Sequence, residues 1–178
     1  YFGRSIFFAN STLFAAAPFH KHERGEGSVF VFQKDSLDNW TVDQKIFPPN
    51  NQKKFGHALN YQSDNLLVGA SISFNQPLMS YRKTKDCVSQ CWTFQEYILD
   101  SNIEKYSEIE ISSSQDFIFF GGFGLGEEPE GAYLLSSSLV DEPIELILPR
   151  IKSTDTFGFS STFSTDHFFV GAPDTTQG

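Results

Sequence analysis

Phe55–Ser71 reads FGHALNYQSDNLLVGAS, and Phe157–Pro173 reads FGFSSTFSTDHFFVGAP. Each opens on Phe-Gly. Each continues through a strand-like stretch to a polar turn with an Asp, then an apolar run that ends in small residues. Phe2–Pro18, FGRSIFFANSTLFAAAP, fits the same frame, with Ala16 where the others have Gly69 and Gly171. A worn copy starts at Tyr106, YSEIEISSSQDFIFFGG. It lacks the Gly and carries an extra residue in the turn. The starts lie about fifty residues apart, in the range of internal structural repeats. A second landmark recurs in phase: Trp40 opens WTVDQKIF and Trp92 opens WTFQEYIL. The third copy, PIELILPR from Pro143, has no Trp.

The repeats divide the chain into units 1–54, 55–105, 106–156 and 157–178. In the first unit the strand-like stretches are Arg4–Ala9, Leu13–Ala17, Ser28–Phe32 and Thr41–Phe47. They are rich in β-branched and aromatic residues and alternate in part with period two, as in Ser28-Val29-Phe30-Val31-Phe32. Turn-forming clusters separate them: Asn10-Ser11-Thr12, Gly25-Glu26-Gly27 and Pro48-Pro49-Asn50. No segment sustains a helical apolar period. The expected fold is all-β. Four strands per unit at this spacing fit a β-propeller blade, which needs neighbours to cover its faces. A sandwich or barrel with chance similarity is the alternative.

The 178 residues carry a formal net charge of −9, with 39% hydrophobic, 16% aromatic and 20% charged residues. That is enough apolar material for a core. There is no basic footprint for nucleic acid. No apolar run is long enough to span a membrane as a helix. The chain opens at Tyr1 inside a repeat and reads as a segment excised from a longer protein, without a signal peptide.

Phe-Gly followed at this offset by Gly-Ala-Pro resembles the FG-GAP repeat, which builds the seven-bladed propeller at the head of integrin α subunits. The matching elements are Phe2-Gly3 with Ala16-Ala17-Pro18, Phe55-Gly56 with Gly69-Ala70-Ser71, and Phe157-Gly158 with Gly171-Ala172-Pro173. Gly27–Phe32 and Gly131–Leu135 resemble the family's third strand. The resemblance covers nearly the whole chain. It implies a partial propeller of about three and a half four-stranded blades, a fragment of a six- or seven-bladed ring. Three completions are open: the parent continues, which we favour, so that the remaining blades pair with these; the half-ring stays open; or two copies pair. Integrin-type calcium loops need several converging carboxylates. The turns here hold at most one Asp each, so no metal and no cofactor are expected.

Catalytic groupings are scarce. His20-Lys21-His22 beside Glu23 could offer metal ligands, but a solvated polar loop is the simpler reading. His57 follows Phe-Gly in an expected strand and is replaced by Arg4 or Phe159 in other copies. His167 falls in a hairpin turn. Gly121–Gly126 is glycine-rich, but no helix follows it. The chain is therefore expected to bind and not to catalyse. In an integrin-like propeller the partner face is the rim that carries the loops between strands two and three. Here that rim holds His20, His22, Glu23 and Arg24 in the first unit, Asn75 and Gln76 in the second, and Glu127, Glu128 and Glu130 in the third. The expected partner is a protein or glycan, outside the cell or at its surface, with no direct membrane insertion. A structural spacer, or an accessory domain of a larger enzyme, is the alternative. Asn10 and Asn39 head Asn-x-Ser/Thr triplets and are candidate glycan acceptors in a secreted chain. Cys87 and Cys91 flank part of the loop Arg82–Gln90, which is longer and more basic than its counterpart in unit one. A local disulfide and free thiols are both open; two cysteines are too few for zinc.

Overall fold

The computed structural model describes residues 2–23, 25–50, 52–62, 64–70, 78–85, 87, 90–98, 106–114, 116–124, 131–136, 144–145, 160–164 and 167–171. The described residues are all-β, arranged as separate antiparallel sheets. The first sheet is β1 (Ile6–Ala9), β2 (Thr12–His22), β3 (Gly25–Lys34) and β4 (Trp40–Ile46). The second is β5 (Leu59–Gln62), β6 (Asn65–Gly69), β7 (Leu78–Lys83) and β8 (Trp92–Tyr97). The third is β9 (Tyr106–Ser113), β10 (Phe117–Gly124), β11 (Gly131–Ser136) and β12 (Ile144–Glu145). The fourth pairs β13 (Ser160–Phe163) with β14 (Phe168–Gly171). Within each sheet every strand pairs with the next in sequence.

Local chemistry fixes the hairpins. Ala9 pairs with Thr12, so Asn10-Ser11 is a two-residue turn, and both residues have positive φ, 47° and 60°. Such turns match the twist of the flanking strands, and Asn tolerates the left-handed region. Gln62 pairs with Asn65 around Asp64, whose φ is 64°.

The ends of the repeat motif are tied together inside each of the first two sheets. Gly3 N–H donates to the Ala16 carbonyl at 2.8 Å, and Gly56 N–H donates to Gly69 at 2.9 Å. Phe-Gly thus turns the chain back onto the end of the second strand in both copies. Gly56, at φ +88°, lies so close to the first sheet that an added Cβ would sit 2.9 Å from Ala16 Cβ. Small residues on both sides allow that approach.

The sheets pack face to face, and side-chain alternation assigns their cores. One face of the second sheet sends Leu66, Val68, Met79 and Tyr81 toward Phe14, Ala16, Val29 and Val31 of the first, with Phe55 completing the cluster. Its other face sends Leu67 and Leu78 toward Ile111, Ile118, Phe120 and Leu135 of the third. Phe119 then packs against Phe163, Phe168 and Val170 of the fourth. The first strands are also laced in succession. Ser5 Oγ accepts from Leu59 N–H at 3.1 Å, Ser113 Oγ donates to Asn60 Oδ1 at 2.6 Å, and Ser112 and Ser161 hydroxyls meet at 2.6 Å. Ser5, immediately before β1, therefore meets β5, β5 meets β9, and β9 meets β13.

Some boundaries differ from the sequence reading. His20-Lys21-His22 lies in β2, not in a loop. Beyond an irregularity after Ala17 the strand resumes, pairing Lys21 with Glu26 and His22 with Gly25. Polar residues there give no alternating apolar signal. His57 precedes β5 and does not belong to it; it is buried in the turn that Gly56 makes.

Candidate functional site

In the first sheet the β1–β2 and β3–β4 turns lie at one end, and the paired ends of β2 and β3, His22 and Gly25, lie at the other; the second sheet has the same strand order. A cleft of about 850 Å3 opens at the first end, between the first two sheets. That volume falls in the range of small-molecule sites. Asn10 and Thr12 from the β1–β2 hairpin form one wall. Asp64, Arg82, Lys83, Thr84, Lys85 and Cys87 from the second sheet form the other, with Tyr61 and Trp92 between them.

The polar groups in the cleft are organised. Asn10 Nδ2 donates to the Tyr61 hydroxyl at 3.0 Å, which in turn donates to Asp64 Oδ1 at 3.1 Å. Desolvation holds the Tyr61 phenol above its ordinary range, so it stays a neutral donor and acceptor. Arg82 Nε donates to Asn65 Oδ1 at 3.1 Å, fixing the guanidinium stem at the wall. Trp92 lies at the base; its indole is nearly buried and stacks edge-on against Phe14 and Tyr61. The described lining residues thus bring three cations against one carboxylate, on a chain whose net charge is −9. Local positive charge on an acidic protein selects anionic groups.

Cys87 and Cys91 form a disulfide with Cα atoms 5.5 Å apart. It closes a short ring just beyond Lys85, in the connection between β7 and β8. Thr84 N–H also donates to the Cys91 carbonyl at 2.8 Å, which joins the base of the loop to the start of β8.

At the opposite end a smaller hollow, about 480 Å3, is lined by Glu23, Gln44–Asn50, Tyr81, Trp92 and Phe94. This is the rim expected from sequence to carry the partner. The structure gives its histidines structural bonds. His22 Nε2 donates to the Gly27 carbonyl at 2.7 Å, and its ring packs 4.5 Å from Phe47. His20 Nδ1 shares a hydrogen bond with Ser28 Oγ at 3.0 Å. Among the described residues no group of three His, Cys, Asp or Glu side chains is placed to hold a metal ion. Arg24, Asn75, Gln76, Glu127, Glu128 and Glu130 lie outside the described residues. Of the two sequon asparagines, Asn10 lines the cleft, and Asn39 sits in the exposed β3–β4 turn.

The basic character of the Arg82–Gln90 loop is legible in the sequence; its place beside Asn10 and Tyr61 is not. That juxtaposition depends on how one sheet lies on the next. Comparison with known protein families, curated proteins and solved structures finds no match.

Proposed function

We propose that the chain is a non-catalytic binding module built of FG-GAP-type propeller blades, and that it captures an acidic protein or glycan partner. The successive first-strand contacts and the Phe-Gly ties support the blade reading. The observation that carries the binding reading is the cleft between the first two sheets, where Arg82, Lys83 and Lys85 line a wall facing Asn10 and Tyr61. Hydroxyl and amide groups at the back of the cleft suit a ligand rich in hydroxyls or carbonyls, and the cations suit its carboxylate or sulfate groups. The disulfide supports an oxidising compartment such as the cell exterior.

The test is binding of acidic and neutral oligosaccharides, and of acidic peptides, to the immobilised chain at low and physiological salt. Binding should favour the acidic members and weaken as salt rises. Replacing Arg82 and Lys85 together by alanine should weaken it about tenfold. Equal binding of acidic and neutral ligands, or binding untouched by that double substitution, would count against the cleft. If substituting Glu23 on the opposite rim abolished binding instead, the site would move there.

A further inference from the structure

Among the described residues, one face of the first sheet is covered and the other is bare. The bare face carries Phe2, Ile6, Phe8 and Trp40, exposed by 62%, 61%, 61% and 41%. Their counterparts in the repeat frame of the second sheet are Phe55, Leu59, Tyr61 and Trp92. Phe55, Leu59 and Trp92 are buried against the first sheet, and Tyr61 packs against the same core. The bare face is therefore the same surface that the second sheet uses to receive its neighbour.

The likeness extends to geometry. Tyr61 and Trp92 meet edge to face with centroids 6.1 Å apart and planes at 74°. Phe8 and Trp40 meet at 6.0 Å and 81°. Each Trp pairs across strands with a lysine, Trp92 with Lys83 and Trp40 with Lys34. In the second sheet this ring pair receives Phe14, whose centroid lies 5.1 Å from Trp92 and 6.2 Å from Tyr61. The first sheet holds the same receiving pair, already in position, and exposes it to solvent.

The group that would fill it lies in the fourth sheet. Phe169 takes the place of Phe14 in the fourth copy of the motif. In the two hairpins Phe7 pairs with Phe14, and Thr162 with Phe169. Phe14 is fully buried, whereas Phe169 is 56% exposed on the face turned away from the third sheet. Both halves of one junction are thus exposed among the described residues.

We propose that the bare face of the first sheet docks the β13–β14 sheet of a second copy, seating Phe169 between Phe8 and Trp40. This is a head-to-tail contact between unlike surfaces. It closes when two copies each supply one half to the other, and extends when they do not. The proposal rests on the packing of the described sheets and is independent of the cleft.

Sedimentation velocity of the full chain over a wide concentration range tests it. The wild type should associate beyond the monomer as concentration rises. Trp40→Glu and Phe169→Glu, both at exposed positions, should each lose closed association; far-UV circular dichroism should show the sheets intact. Mixing the two variants should restore a one-to-one dimer, because one retains the donor face and the other the receiver. A wild type monomeric at every concentration overturns the proposal. So does association that Trp40→Glu abolishes and Phe169→Glu leaves unchanged, since that marks like-on-like pairing. A mixture that stays monomeric overturns it too.

Discussion

Gln44 holds the backbone of Trp92 from both sides. Its Nε2 donates to the Trp92 carbonyl at 2.8 Å, and its Oε1 accepts from the Trp92 N–H at 2.8 Å. Gln44 belongs to β4 and Trp92 opens β8, so the amide bridges the outer strands of neighbouring sheets. These strands are not paired to each other. The side chain satisfies two backbone groups that would otherwise be withdrawn from water at the sheet junction.

Gln44→Leu keeps the bulk and removes both partners. It should lower stability by about 1–3 kcal/mol, the cost of leaving polar groups unmet in a part-buried setting. Gln44→Glu should recover little, since a carboxylate accepts from the N–H but has nothing to give the carbonyl. Urea unfolding followed by tryptophan fluorescence measures both. Equal stability of all three proteins would show that water replaces the amide without loss.

Glycine at the start of the repeat should be tolerant in one copy and not in the other. Gly3 and Gly56 both have positive φ, +80° and +88°. An added Cβ at Gly3 would find its nearest neighbour, Ile6 Cδ1, at 3.6 Å. At Gly56 it would meet Ala16 Cβ at 2.9 Å and Val29 Cγ2 at 3.2 Å. Gly3→Ala should cost only backbone strain, about 1 kcal/mol. Gly56→Ala should add overpacking of about 1–3 kcal/mol to that strain. Thermal unfolding of the two variants checks the ordering, and similar losses would contradict it.

The all-β class was legible in the sequence because turn residues such as Asn10-Ser11 alternate with short β-branched and aromatic runs. The length of β2 was not. Its extension to His22 is carried by backbone pairing with Glu26 and Gly25 and by side-chain bonds to Gly27 and Ser28, none of which leaves a periodic trace. The cleft was half legible. The excess of Lys and Arg after Tyr81 could be counted, but its position opposite Asn10 comes from sheet-on-sheet packing between residues remote in sequence. The resemblance points to the rim that carries Glu23, where His20 and His22 bond to Ser28 and Gly27 at the strand ends.

The disulfide should steady the loop without carrying the fold. Cys87 and Cys91 are separated by four positions, so the closed loop is very short. In the chain-entropy description, such a loop contributes about 2 kcal/mol through the unfolded state. Reduction should lower the unfolding temperature modestly and leave the far-UV spectrum unchanged, because sheet pairing does not depend on the bridge. Complete unfolding on adding reductant at room temperature would show that the loop supports far more of the second sheet than its hydrogen bonds indicate.

Glu110 on β9 gives the protein a pH dependence that can be assigned to one residue. Desolvation raises its carboxyl above the ordinary 4.5, and the nearby Arg4 charge opposes the rise only in part. The folded state then binds this proton more tightly than the unfolded state. Stability from this group is full below the unfolded value near 4.5 and falls as pH rises through the folded value, then levels off. Glu110→Gln has no proton to lose. The difference in unfolding temperature between variant and wild type should therefore grow across that window in favour of the variant and stay constant above it. Parallel curves from acid to neutral pH would mean that Glu110 is solvated as well in the fold as in the open chain.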